Sequence, residues 1–497
     1  MRENGHEQTP ARTTTPHAPC RRSALRKRCS RAPCLVTAFA HCCNPRVNTR
    51  RNLLLLAALS FLFGFADSDL PAAPGFEAGE SVVDISPPVG TALGGYRYRD
   101  PAKPRVSTGR STPAQVRALV LRRDATTAVV ISFDMLNISF DMVRRIQAGV
   151  EKKLGVPAAH VHLSATHSHT MPSIAFNRHW GNQNPAYEAT VEDAMLQAVT
   201  KAHAELAPAT LRVGSAVVVG GNRNRTLKGD EKAGTQAEFT KDSTDADRWL
   251  DTKLKLLVLE RKDRPTLLWY NFSAHPTAFG GSTLAGAEWP GLAQKLVREE
   301  RKLSPSFLQG HIGDVAPLSA TNTARAVANA IYAALDSAQP VAVETLRVET
   351  HAVELPLDLA AFKAQIARKQ PLAEAGKLEA YDKDWYENFA TRYDLTKTTL
   401  PITLGAIRLG DVALLFHPAE LYSVYGLLIQ RDSPLPHTLV VGYADGYIGY
   451  VPDPKAYTRN EYAAAMVPTI LNYPPFTPNA GRELTAAAVE LLRKIGR

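Results

Sequence analysis

Ala128-Val-Val-Ile-Ser-Phe133, then Met142-Val-Arg-Arg-Ile-Gln-Ala-Gly-Val-Glu-Lys-Lys-Leu154, then His160-Val-His-Leu-Ser-Ala165: on these three segments the reading of the fold turns. The first and last are short and apolar enough for buried strands, while in the middle one the apolar residues recur at helical spacing. Strand, helix and strand in that order predict a βαβ rhythm. Working outward, Ala118 to Arg122 adds a strand, and further strands are expected over Leu211–Val219, Lys253–Leu259 and Leu267–Phe272. Helices are expected over Tyr187–Leu206, Pro290–Leu303, Thr323–Ala338 and Leu484–Ile495. The expected class is α/β, a mixed layered fold with β-sheets flanked by helices. The polar stretch from Asn222 to Asp247 is too long for an ordinary connection and reads as a functional rim or a partly disordered segment.

A chain of 497 residues with 45% hydrophobic and 21% charged residues is neither wholly disordered, nor collagen-like, nor a multi-span membrane protein. Its formal charge of +10 would suggest a nucleic-acid partner if it were spread over the fold. It is not: residues 1–66 hold 11 Lys and Arg against 2 Asp and Glu, and the rest is nearly neutral. All five cysteines, Cys20, Cys29, Cys34, Cys42 and Cys43, lie in that same segment. The body therefore has no cysteine nucleophile, no thiolate metal site and no disulfide framework.

Arg50-Arg51 precede the apolar run Leu53–Phe65, which ends in the small-residue stretch around Ala66. Thirteen residues are short for a membrane span, and the pattern is that of a secretory signal. The expectation is a leader over 1–46 that is disordered or untranslated, a signal peptide over 47–66, and a single catalytic domain over 67–497. A secreted or periplasmic location follows.

Chemistry gathers in five segments. In Leu163-Ser-Ala-Thr-His167-Ser-His169-Thr170 a strand ends in two histidines at i and i+2, which face the same side of an extended chain. Both can approach one metal ion, one can bind it while the other acts on water, or the pair can simply be hydrogen-bonded at the surface. Phe272-Ser-Ala-His275-Pro276-Thr277 places another histidine at a strand end, where α/β ligand sites gather. Gly313-Asp314-Val-Ala316-Pro317 reads as a turn, and His417-Pro418-Ala-Glu420 puts a carboxylate just before a helix, a favourable place for negative charge without any metal. The fifth, Val441 to Pro452, is rich in tyrosine.

Taken in order, these segments resemble the neutral/alkaline non-lysosomal ceramidase family, in its N-terminal catalytic domain. The family's Ser-Ala-Thr-His-Thr-His-Ser is similar to Ser164–Thr170, its His-Pro-Thr-Ser to His275–Thr277, and its Gly-Asp-Val-Ser-Pro to Gly313–Pro317. Pro-Gly-Glu-Phe appears as Pro418–Leu421, and the spaced tyrosines as Tyr447, Tyr450, Tyr457 and Tyr462. Asp84–Pro87 and Gly95-Tyr96 also match its opening, so the resemblance spans about residues 80–480.

That resemblance implies a zinc ion (Zn2+) held by His167, His275, Glu420 and Tyr450, with His169 exchanging protons and with Arg223 and Tyr462 holding the substrate. Arg225, close behind Arg223, is the alternative counterpart of the family arginine. The implied substrate is an N-acyl amide, a ceramide-like lipid or small molecule, cleaved by zinc-activated water, with no nucleic acid and at most peripheral membrane contact. An esterase or deacylase acting on a smaller acyl group, and a binding protein that has lost catalysis, are the competing readings. Three departures stand out. Ala316 replaces the family serine and removes any serine nucleophile there. Met171-Pro172-Ser173-Ile174 replaces a glycine-rich stretch and is expected to reshape the pocket wall. The family's C-terminal immunoglobulin-like domain is expected to be lacking.

Overall fold

The computed structural model describes residues 75–497 apart from Arg99 and Pro101, and these residues fall in one compact unit. The leader and signal segments expected over 1–66 lie outside the described residues. Strands Gln115–Arg123 and Thr126–Phe133 pair antiparallel across a tight turn in which Asp124 is left-handed (φ 51°). Along the second strand Val129, Ile131 and Phe133 enter one core while Ala128 and Val130 enter another. Burial on both faces is why the run reads as continuously apolar. The Ser139 hydroxyl then accepts the Met142 N–H (3.2 Å) and starts the helix Phe140–Leu154, which buries Met142, Val143, Ile146 and Val150 and ends at left-handed Gly155. After one 3-10 turn, Val161–Ala165 returns parallel to Thr126–Phe133.

This unit forms one end of a nine-stranded sheet. Its main path runs Pro305–Gln309, Leu267–Phe272, Lys253–Arg261, Ala207–Val217, Phe76–Asp84, Gln115–Arg123, Thr126–Phe133, Val161–Ala165, with Gln339–Val341 added beside Ala207–Val217. A second sheet orders Leu346–Pro356, Thr399–Leu409, Val412–Phe416 and His437–Val441. One face of the large sheet packs on the small one, as Leu119, Val130, Trp269 and Leu308 share a core with Ile407, Leu414, Phe416 and Val441. Helices Phe140–Leu154 and Pro185–Ala204, and Glu288–Arg301 and Ala320–Asp336, cover the other face of the large sheet. Ser423–Asp432 and Ala480–Gly496 cover that of the small one. The result is a four-layer helix–sheet–sheet–helix stack of mixed α/β class. No helix among the described residues is long and apolar enough to cross a membrane.

Three parallel strand pairs set up the site. They are Thr126–Phe133 with Val161–Ala165, Leu267–Phe272 with Pro305–Gln309, and, in the small sheet, Val412–Phe416 with His437–Val441. Their C-terminal ends are tied where the sheets meet. Ala165 N–H donates to the Tyr443 carbonyl (3.1 Å), Gly442 N–H to that of Gln309 (3.0 Å), and Ala444 N–H to that of His417 (2.9 Å). The loops leaving those ends therefore converge, the usual location of ligand sites in α/β folds.

Candidate metal centre and catalytic pocket

His167 stands two residues beyond the strand Val161–Ala165, with its backbone in the left-handed region (φ 64°). A non-glycine residue there costs on the order of 1 kcal/mol or more, and such strain gathers at functional sites. Its Nδ1–H donates to the Leu136 carbonyl (2.6 Å). His275, three residues beyond Leu267–Phe272, likewise donates Nδ1–H to the Val315 carbonyl (2.8 Å). These two bonds leave both Nε2 lone pairs facing inward, toward Glu420 Oε2 at 3.2 Å from His275 and 3.5 Å from His167. Acceptors thus face an acceptor in a site where all three residues are at most 2% exposed. A cation between them resolves the conflict. The spacing suits a small divalent ion, since the edge of a tetrahedron with bonds of about 2.05 Å is about 3.3 Å.

His169 Nε2 lies 3.1 Å from His167 Nε2, so three imidazoles form a group able to hold a metal ion. One detail separates them. Metal-ligating histidines almost always donate their other ring N–H to an acceptor. His167 and His275 do so, whereas the buried Nδ1 of His169 has no hydrogen-bond partner. Two rings are thus oriented by the backbone, and the third is not.

The candidate oxygen donors come from a separate pair of short strands that follow Val412–Phe416 and His437–Val441 in the chain. Glu420 lies in the short strand Ala419–Leu421, which pairs in parallel with Gly449–Val451 and sets Glu420 opposite Tyr450. Gly313 packs against this strand so closely that a Cβ would fall 2.4 Å from the Glu420 carbonyl. Asp314, more than a turn residue, accepts from Ser423 N–H (2.8 Å), the Ser423 hydroxyl (2.7 Å) and Asn224 (2.8 Å). It thereby joins both halves of the molecule. Glu420 accepts from the Tyr447 hydroxyl (2.6 Å) and from that of Tyr443 (3.0 Å). Sequence reading matched Tyr447 to the family's tyrosine spacing but gave neither tyrosine a role. The only signal available was their location in the same tyrosine-rich segment as Tyr450.

Burial alone would push the Glu420 carboxyl up, but the His167 and His275 rings and the Tyr447 hydroxyl outweigh it and hold the group well below the usual carboxylate range. Burial pushes His275 down to about 3, lowers His167, and, with the neighbouring imidazoles, holds His169 well below its ordinary value. Neutral imidazoles and an ionised carboxylate are the protonation states that metal binding requires. Burial also raises Tyr443, Tyr447 and Tyr450 well above the usual phenol range, so their hydroxyls remain donors.

A cavity of about 300 Å³ opens over these groups. Leu136, Trp180, Val467, Ile470 and Leu471 give it an apolar lining, and Tyr450 and Tyr462 line it too. Six of the seven expected site residues, His167, His169, His275, Glu420, Tyr450 and Tyr462, surround this one space or its buried floor. Arg223 does not. In the short strand Asn222–Asn224 the two asparagines point inward, where Asn222 bonds the Asp251 and Ser273 carbonyls, and alternation turns Arg223 out to solvent. The arginine in the cavity is Arg225. It donates to the Tyr450 hydroxyl (2.6 Å) and the Gly313 carbonyl (2.9 Å), and lies 3.4 Å from His275 Nε2. Although burial disfavours its charge, Tyr450 and Glu420 hold the Arg225 guanidinium above its ordinary value. Ala316 pairs with Arg223 in the strand ladder and is not among the residues lining the cavity. In the departing stretch Met171–Ile174, Ser173 bonds Asn137 and Ala175 and accepts from Asn177, which lines the cavity.

Among solved structures, the chain is similar to the neutral ceramidase from Pseudomonas aeruginosa, with 19% identity over 84% of this chain and 75% of that one and a TM-score of 0.66. A ceramidase complexed with C2 is similar to the same degree, at 18% identity over 85% and 75% of the two chains, again with a TM-score of 0.66. No curated protein matches the sequence. At such identities the likeness shows the fold. The sequence profile described as "Neutral/alkaline non-lysosomal ceramidase, N-terminal" matches residues 76–351, more than half of the chain and both histidine segments. The chain belongs to the neutral/alkaline non-lysosomal ceramidase family.

Proposed function

We propose that this protein is a zinc-dependent amidohydrolase that cleaves the linear amide of a ceramide-like N-acyl lipid, giving a fatty acid and a free amine. The observation that carries the reading is the inward-facing pair of Nε2 atoms opposite Glu420 Oε2 at 3.2 and 3.5 Å, with the Tyr450 hydroxyl beside them. Two imidazoles, a carboxylate and a phenol are borderline to hard donors that suit zinc. Bound zinc supplies the Lewis acidity that makes water a nucleophile at neutral pH.

The chain's own residues do the rest. His169, with an unpartnered Nδ1 and its Nε2 toward the ligand cluster, takes the proton released as water attacks and returns it to the leaving nitrogen. Arg225 and Tyr462, both facing the cavity, hold the acyl oxygen as negative charge develops on it. Tyr443 and Tyr447 keep Glu420 in place, and the apolar wall takes the acyl chain and excludes water. With Ala316 off the cavity surface, the route needs no serine nucleophile.

The cavity volume lies at the small end of ligand pockets, so chain length belongs in the test. Purified protein is to be analysed for metals and assayed against N-acyl amides and acyl esters of graded length. One zinc per chain with release of fatty acid from the amides is expected. A metal-free protein that is fully active contradicts the zinc assignment, esters cleaved in preference to every amide contradict the amidase assignment, and inactivity of the zinc-loaded protein on all of them makes this a binding protein.

A further inference from the structure

We propose that Arg105 is a positioning residue for His169, holding both the backbone that carries this imidazole and the loop that packs against its ring. The inference rests on the proton-exchange role assigned to His169 above. His167 and His275 are aimed by their own Nδ1 hydrogen bonds; His169 has none, so its orientation must come from somewhere else. Its N–H donates to the Pro276 carbonyl (3.1 Å), and its own carbonyl accepts from Arg105 Nη2 at 2.6 Å. The same nitrogen bonds the Gly94 carbonyl (2.6 Å), and Nη1 bonds that of Ser282 (2.5 Å). One guanidinium therefore joins three segments that are distant in sequence.

What Arg105 holds beside His169 is the packing surface of the ring itself. Next to Gly94, Gly95 is left-handed (φ 88°), and a Cβ there would fall 2.6 Å from His169 Nδ1, so backbone lies directly on the imidazole. Tyr96 then stands edge-on to the His169 ring at 5.2 Å, while Arg105 lies over the Tyr96 ring at 5.0 Å. Arginine fits this position because its planar fork serves several carbonyls at once and its face stacks on an aromatic ring, which lysine cannot reproduce. The arrangement packs Nδ1 against backbone with no hydrogen bond and leaves Nε2 turned to the ligand cluster, 3.1 Å from His167 Nε2.

The test is a double-mutant cycle, read alongside the side-chain NMR signals of 15N-histidine-labelled protein. Arg105→Met should retain zinc and leave KM little changed while lowering kcat about tenfold to a hundredfold, the cost of a catalytic group out of place. In a His169→Ala background the same substitution should cost almost nothing, because its target is already gone. Arg105→Lys should recover only part of the rate. A merely structural role would multiply through both backgrounds, and that result, or loss of zinc in Arg105→Met, overturns the proposal. Should Arg105→Met not fold, Tyr96→Leu carries the same cycle with the same expectations. The NMR arm needs no substrate: the His169 ring signal should be single in the wild type and broadened or doubled in Arg105→Met, and an unchanged signal overturns the inference. A wild type inert toward every N-acyl amide would instead sink the functional reading and leave the ring signal to decide the clamp.

Discussion

At the mouth of the large sheet His167 and His275 are each oriented by a backbone carbonyl, whereas at the mouth of the small sheet Glu420 is oriented by side chains, the hydroxyls of Tyr443 and Tyr447. The difference is one of permanence. A carbonyl partner comes with the fold and no substitution removes it, so the nitrogen side of the site is complete wherever the fold forms. The hydroxyls can be deleted one at a time, so the oxygen side can be graded. The nitrogen half should respond to substitution all or none, and the oxygen half in steps.

The largest effect is expected on the nitrogen side. His275→Ala removes a proposed ligand whose ring is 0% exposed and is oriented by the Val315 carbonyl. Zinc and activity should both fall to the blank, read by metal analysis and by fatty-acid release from an N-acyl amide. His169→Ala sharpens the contrast, because it should keep the zinc while losing about 10² to 10⁴ in rate, the usual worth of proton transfer. Loss of zinc from His169→Ala would make this residue a third nitrogen ligand and break the distinction drawn from the Nδ1 partners.

The two halves also differ in how far they can be read from sequence. His167 and His169 were legible because an apolar run buried on both faces announces where the strand ends; the period of two expected of an extended chain does not apply, since both lie beyond Ala165 and His167 is left-handed. The small sheet was not anticipated as a sheet. In Leu346–Pro356 and Thr399–Leu409 one face meets solvent, and residues such as Arg347, Glu349, His351 and Glu354 interrupt any apolar run. Glu420 was found through its motif and not through its strand. The phase of Asn222–Arg225 was likewise invisible: only the hydrogen bonds of the buried Asn222 and Asn224 determine which arginine enters the cavity. The hydroxyl contacts of Tyr443 and Tyr447 join residues 20 or more apart through a loop, and no local period encodes such a contact.

An intermediate effect is expected from Tyr447→Phe. It removes the 2.6 Å bond to Glu420 Oε1 and leaves the ring in place. Loss of a group that orients a metal ligand typically costs about 10- to 100-fold in metal affinity or activity. Competition with a zinc chelator should therefore strip Tyr447→Phe more readily than wild type, and the Tyr443→Phe, Tyr447→Phe pair more readily still. If Tyr447→Phe holds zinc as tightly as wild type, Glu420 is fixed by the ion and its strand, and the graded half of the comparison fails.

The weakest lever on the site itself is a second buried carboxyl, Glu288, which belongs to the large-sheet side and shows what Glu420 would be without its partners. Both are at most 1% exposed. Glu420 has imidazoles and hydroxyls around it and stays ionised. Glu288 accepts from the Phe279 N–H (3.2 Å), its Oε1 has no hydrogen-bond partner, and burial pushes its carboxyl up to about 8 from an ordinary 4.5. A carboxyl raised in the folded state binds its proton more tightly there than in the unfolded chain. Its contribution to stability is thus fully present below pH 4.5 and is lost as pH rises through about 8, on the order of 5 kcal/mol at about 1.4 kcal/mol per pH unit. Glu288→Gln removes the ionisable group while keeping its shape. Its stability by denaturant titration should stay flatter than that of the wild type between pH 5 and 8, with the gap between them widest at the alkaline end. Parallel curves for the two proteins would mean that Glu288 is ionised in the fold with a partner such as Arg105, and that the large-sheet side holds a buried charge after all.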